Sequence, residues 1–196
     1  MARGAEGLDV AGAVDVFEEV RELPYAIDAA HDADALVELG AGDCLAKSDL
    51  LARRLGRLGI RVRMVRWLYL LPDVIPEVEE LPDRLDLHRA VEVWRRRTWV
   101  LVDATHDPGL AGAGLTVGRW DGTTGTEPAY PPLSPRWVED RDSAEITGAL
   151  RRTHGWVDRC PPALLARWRR GYMDWLVEAR GRPDDSGPRS RRGSPS

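Results

Sequence analysis

Two β-rich runs, "LHRAVEVW" (87–94) and "TWVLVDAT" (98–105), are separated only by Arg95-Arg96-Arg97. Two such runs joined this closely read as a β-hairpin, which commits the middle of the chain to antiparallel sheet. A two-residue connection at Arg95-Arg96 pairs Trp94 with Arg97, Glu92 with Trp99, Ala90 with Leu101 and His88 with Asp103. Facing side chains in such a pair have Cβ atoms about 4.5–5.5 Å apart, within reach of a carboxylate–imidazole hydrogen bond. A four-residue connection keeps that register. A three-residue connection puts the two side chains on opposite faces.

Around the hairpin the pattern is helical. Residues 10–22, "VAGAVDVFEEVRE", carry apolar positions at helical spacing, and Leu23-Pro24 ends the segment. Asp32–Leu39 forms a second short helix with an acidic first turn. From Cys44 to Leu58 the residues Cys44, Ser48, Leu51, Leu55 and Leu58 fall on one helical face, with Asp43 placed as the N-cap. "IRVRMVRWLYLL" (60–71) is a strand closed by Pro72, and the acidic segment 72–86 is a loop or lid. A Gly/Thr/Pro-rich passage, 109–135, wraps the sheet as irregular loop. Helices follow over 143–152 and 162–179, and 181–196 has no apolar anchor and is expected to be disordered. The expected organisation is one α+β domain over 1–180 with its core at 24–110.

Composition narrows the chemistry. The chain has 196 residues, 43% hydrophobic and 31% charged, with a net charge of -4, a balance that disfavours nucleic acid as a partner. No apolar run approaches the roughly 20 residues of a membrane helix, and acidic residues interrupt the N-terminal apolar stretch, so no membrane partner and a cytoplasmic location are expected. The two cysteines, Cys44 and Cys160, form no CxxC and read as free thiols. The chain contains no Asn and no Gln, and 27 of its 28 basic residues are arginine. No side-chain amide is therefore present to orient a histidine or hold an oxyanion. The exception among the basic residues, Lys47, follows Cys44 by three positions, where a compact ammonium could orient substrate or adjust the thiolate.

Cys44 alone reads more readily as an inert, small buried apolar residue than as a nucleophile. With His88 and Asp103 it acquires partners: a carboxylate that fixes the imidazole and favours its charged form leaves the second ring nitrogen for a thiol. A helix start likewise favours the thiolate. His106 reads as a strand-end surface histidine, His31 and His154 as exposed, and Cys160 as structural. The Arg95–Arg97 turn reads as solvated charge. His88, Asp103 and His106 lack zinc-site spacing, so no metal is expected.

The segments "GDCLAKSDLLARRLGRLGIRVRMV" (42–65) and "LHRAVEVWRRRTWVLVDATHDPGL" (87–110) resemble the transglutaminase-like superfamily, a papain-like branch of Cys-His-Asp enzymes. The order Cys, His on a strand, Asp in a "W-x-x-V-D-A-T" strand carries the resemblance, as does the upstream Pro24-Tyr25. It implies a papain-like core with the nucleophile helix on an antiparallel sheet, and no cofactor. Cys44 is then the nucleophile, His88 the general base and acid, and Asp103 the orienting residue. The expected reaction is acyl transfer on a peptide or protein amide through a thioester, with hydrolysis ahead of crosslinking. The oxyanion would rest on the Cys44 backbone N–H, with Tyr25, ahead of a Trp indole or another backbone amide, as the second donor. Arg89-Ala90 stands where many relatives carry Ala-Trp, so the indole that often backs the imidazole is missing or replaced by Trp94 or Trp99. No acidic cluster matches the calcium sites of the animal enzymes. The competing reading is a non-catalytic protein-binding domain that keeps the fold.

Overall fold

Apolar spacing turns into packed elements in the order α1 (Val10–Glu22), β1 (Tyr25–Ala30), α2 (Ala33–Leu39), α3 (Cys44–Arg57), β2 (Val62–Leu70), β3 (Leu85–Arg95), β4 (Thr98–Val102), β5 (Trp137–Val138), α4 (Ser143–Val157) and α5 (Pro162–Ala179). The computed structural model describes residues 10–182; the N-terminal nine residues and the tail beyond 182 lie outside the described residues. Helices pack on a four-stranded antiparallel sheet of order β4-β3-β2-β5.

The hairpin turns one residue later than the sequence suggested. Arg96 and Arg97 form the two-residue connection, with φ of 46° and 65°, and the register pairs Arg95 with Thr98, Trp94 with Trp99 and Glu92 with Leu101. Positive φ at both central positions suits the twist of a tight hairpin, although it costs arginine roughly 1–2 kcal/mol each. The later turn lets the two indoles meet edge to face at 5.3 Å. It also buries Arg95, whose Nε donates to the Gly122 carbonyl at 3.0 Å, so only the other two arginines of the turn are solvated. Continued past β4, this register sets Asp103 opposite Ala90, one diagonal step from His88. A slip of two preserves the face of every side chain, so the two still share one.

Helix α3 is a helix because Asp43 caps it, its Oδ1 accepting the N–H groups of Leu45 (2.9 Å) and Ala46 (3.0 Å). Ala46, Leu50, Leu51 and Leu55 enter the same cluster as Phe17 of α1 and Val91, Val93 and Val102 of the sheet. Burial on this scale stabilises by about 1.5–3 kcal/mol per leucine. Leu58, placed on that stripe by periodicity, lies beyond the helix and is 40% exposed.

Strand β1 was not foreseen in the sequence. It bridges Gly42 in parallel at Tyr25 and Ala30, which fixes the chain just before Cys44. A Cβ on Gly42 would stand 2.8 Å from the Ala30 carbonyl oxygen, so only glycine admits this approach. The acidic segment after β2 is anchored: Val78 in the short 3-10 turn Pro76–Glu80 is fully buried. The Gly/Thr/Pro-rich passage, largely irregular, closes on the sheet through Thr126 N–H to Leu101 O at 2.8 Å and Leu133 N–H to Leu68 O at 2.8 Å.

Candidate functional site

Period-2 alternation places Asp86, His88 and Ala90 of β3 on one face of the sheet. His88 is completely buried. Its Nε2 donates to Asp103 Oδ2 at 3.0 Å. The same carboxylate accepts the Ala129 N–H (2.9 Å) on Oδ2 and the Thr105 N–H (3.1 Å) on Oδ1. Asp103 is therefore held by the irregular passage as well as by the histidine, and a rigid carboxylate fixes the ring's orientation.

Burial alone pulls the His88 imidazole down. The Asp103 charge and hydrogen bond, with Cys44 adding to them, carry it up to about 10. Burial pushes Asp103 up, but the His88 charge and hydrogen bond and the Ala129 N–H bring it down to about 2. The two form a buried ion pair, stable because each partner is oriented and hydrogen-bonded.

The other ring nitrogen of His88, Nδ1, meets full hydrogen-bond geometry with no described residue. Cys44 is near enough to the ring to help raise it. Cys44 itself is partly exposed, at the first turn of α3, and Asp43 caps the two following N–H groups rather than its own.

Cys44 opens into a cavity of about 320 Å³. All four tyrosines of the chain, Tyr25, Tyr69, Tyr130 and Tyr172, line it, with Trp156 of α4 and Trp168 of α5. The Tyr25 backbone is clamped: its N–H donates to Asp107 Oδ2 (2.9 Å) and its carbonyl accepts from Arg180 (2.6 Å). Its hydroxyl accepts a hydrogen bond from Tyr130 at 3.1 Å, which leaves the Tyr25 proton free to donate elsewhere.

No family model matches this chain, and no curated protein matches it. What the residues can do has to be read from their arrangement.

Cys44, His88, Asp103 and Tyr25 come together; Lys47, Trp94 and Trp99 do not join them. Lys47 is buried and donates to the carbonyls of Arg21 (3.1 Å) and Leu23 (2.6 Å), tying α3 to the end of α1. Burial, only partly countered by Asp107 and Asp103, lowers its ammonium to about 7. It neither lines the cavity nor faces the thiol. Trp94 and Trp99 sit beside the hairpin turn under Arg61 and Arg63. The indole backing the imidazole is Trp67, directly across from His88 on β2, with ring centroids 4.5 Å apart. Sequence alone does not single out Trp67, because the β2–β3 register that sets it across from His88 spans a long intervening segment with no turn motif to fix it.

His106 is likewise not a surface residue. It is fully buried, its Nδ1 donates to Thr116 O at 2.9 Å, and its ring stands edge-on to Tyr25 and Tyr130. Burial lowers it to about 4, so it stays neutral at pH 7. His31 and His154 are exposed at the cavity mouth; His31 Nδ1 pairs with Asp43 Oδ2 at 2.6 Å. Both cysteines are free, and Cys160 is buried. Among the described residues no cluster of His, Cys, Asp and Glu could hold a metal ion. No helix there is long and apolar enough to cross a membrane.

Proposed function

We propose that this chain is a transglutaminase-like, papain-type enzyme of the Cys-His-Asp class, acting on the amide of a peptide or protein. The single observation that supports this best is His88, held by Asp103 through Nε2 with Nδ1 left for Cys44. The Cys44 thiolate attacks the amide carbon, forming a C–S bond. The negative charge on oxygen rests on the Cys44 backbone N–H and the Tyr25 hydroxyl. His88 gives its proton to the departing nitrogen, ammonia or an amine leaves, and a thioester remains. Water then adds, with His88 taking its proton, and releases the acid and the free thiol. An acceptor amine in place of water gives transamidation.

The complete burial of His88 favours one competing reading, a fold kept for binding alone. Acylation separates the two. Incubation with an activated ester such as p-nitrophenyl acetate is expected to give one acetyl adduct, mapped to Cys44 by peptide mass. It should be absent in Cys44→Ala and form at least about 100-fold more slowly in His88→Ala. An adduct on Cys160 instead, or equal rates with and without His88, leaves the binding reading.

A further inference from the structure

One group in the cavity has no part in the steps above. Asp86 lies one strand step from His88 on the same face of β3 and directly across from Tyr69 of β2. It lines the cavity that begins at Cys44. Tyr69 donates its hydroxyl to Asp86 Oδ2 at 3.1 Å, and the Leu87 N–H donates to Oδ1 at 2.7 Å. A carboxylate offers about four acceptor sites, so two neutral donors leave it unsaturated. Among the described residues it forms no ion pair.

The cations nearby are committed or removed. Arg66, on the cavity wall, is held by Glu139 at 2.6 Å. His88 is paired with Asp103. His154 and Arg169 stand exposed at the mouth. Burial pushes the Asp86 carboxyl up, and the Leu87 and Tyr69 hydrogen bonds, with the charges of His88 and His154, offset this only in part. A carboxylate that deep is costly to keep charged until a cation reaches it.

The walls suit the same visitor. Tyr69 and Tyr130 stack with centroids 4.1 Å apart, and Tyr25, Tyr172, Trp156 and Trp168 complete an aromatic enclosure. Aromatic faces attract an ammonium, more strongly once it is desolvated. The volume is that of a small-ligand pocket, which holds a compact acyl group and not a length of folded chain.

We propose that the cavity takes an acyl donor bearing an ammonium group, seated on Asp86 within the tyrosine and tryptophan walls while its carbonyl meets Cys44. The orientation rests on the acyl-transfer reading; the ammonium site does not. The same chemistry comes from the α-ammonium of a peptide N terminus or from a lysine side chain.

Calorimetric titration of the Cys44→Ala protein, which cannot be acylated, tests the site apart from turnover. The probes are phenylalaninamide, N-acetylphenylalaninamide and Nα-acetyllysinamide. At least one ammonium-bearing probe is expected to bind about tenfold or more tightly than N-acetylphenylalaninamide, and adding Asp86→Asn is expected to erase that preference. Phenylalaninamide alone would identify the α-ammonium, and Nα-acetyllysinamide alone the side chain. Equal or tighter binding of the neutral probe overturns the proposal even where the second variant fails to fold. So does a preference that survives Asp86→Asn, or no amine binding at millimolar concentration.

Discussion

Lys47 and His88 are both buried, and their titrations oppose each other. His88 sits at about 10, above its ordinary 6.5, so the stability it contributes is complete below 6.5 and drains away as pH rises toward 10. Lys47 sits at about 7, below its ordinary 10.5; over that interval the unfolded chain binds the extra proton, and stability rises with pH. The two trends cancel in part between about pH 7 and pH 10. Lys47→Met removes one of them. It also strands the carbonyls of Arg21 and Leu23, which costs about 1–3 kcal/mol. Urea midpoints between about pH 7 and pH 9.5 should fall more steeply in the variant than in the parent; parallel curves would remove the account. The sequence points to Cys44, His88 and Asp103 through the hairpin register, which sets His88 and Asp103 on one face, and through the resemblance of the flanking segments, which adds the thiol. Lys47 stands out in the sequence by composition and by its place one turn after Cys44. Its role depends on where α1 ends relative to α3, which no local pattern encodes.

Elements with strong period were legible and those defined by contact were not. Helices α1 and α5 follow their apolar spacing to the residue. Strand β1, "YAIDAA", has too little alternation to announce itself, and β5 is two residues long. The observed hairpin register differs by two from the expected one because turn chemistry does not distinguish Arg95-Arg96 from Arg96-Arg97, whereas the packing of Trp94 on Trp99 and the burial of Arg95 do. The face assignment survived since the miss was even. Two glycines of α3 and its approach give opposite expectations. Gly42→Ala drives a methyl against the Ala30 carbonyl and Ala46, where a Cβ would have 2.8 and 3.0 Å, and should destabilise by about 1–3 kcal/mol. In the last turn of α3, a Cβ at Gly56 meets nothing within 4 Å, and Gly56→Ala should stabilise by up to about 0.5–1 kcal/mol. Denaturant unfolding of the pair reads both signs; a neutral Gly42→Ala would mean that β1 yields.

Across the whole molecule, the segment least legible in sequence ties the layers together. Thr126 and Ala129 hold Asp103, Tyr130 caps the cavity, and Asp107 joins β1 to the end of α5 through Arg180. Gly118 passes so close to the Asp103 carbonyl that any Cβ would overlap it. None of these links has a period or motif, since each depends on one long-range contact. Together they concentrate acid-sensitive groups within residues 103–107. His106 is neutral when folded and sits at about 4 against an ordinary 6.5, so the unfolded chain takes up its proton first as pH falls. Stability is therefore lost from 6.5 down to about 4. Asp103, near 2 against an ordinary 3.8, and Asp107, held low by Arg180 and the Tyr25 N–H against the effect of burial, extend the loss below that. His106→Phe gives up the Thr116 hydrogen bond and lowers the midpoint at every pH, but it takes no proton. Thermal unfolding midpoints should then decline less between about pH 7 and pH 4.5 in His106→Phe than in the parent, and converge on the parent's slope in stronger acid, where only the carboxylates titrate. An unchanged slope above about pH 4.5 would place the acid sensitivity outside this segment.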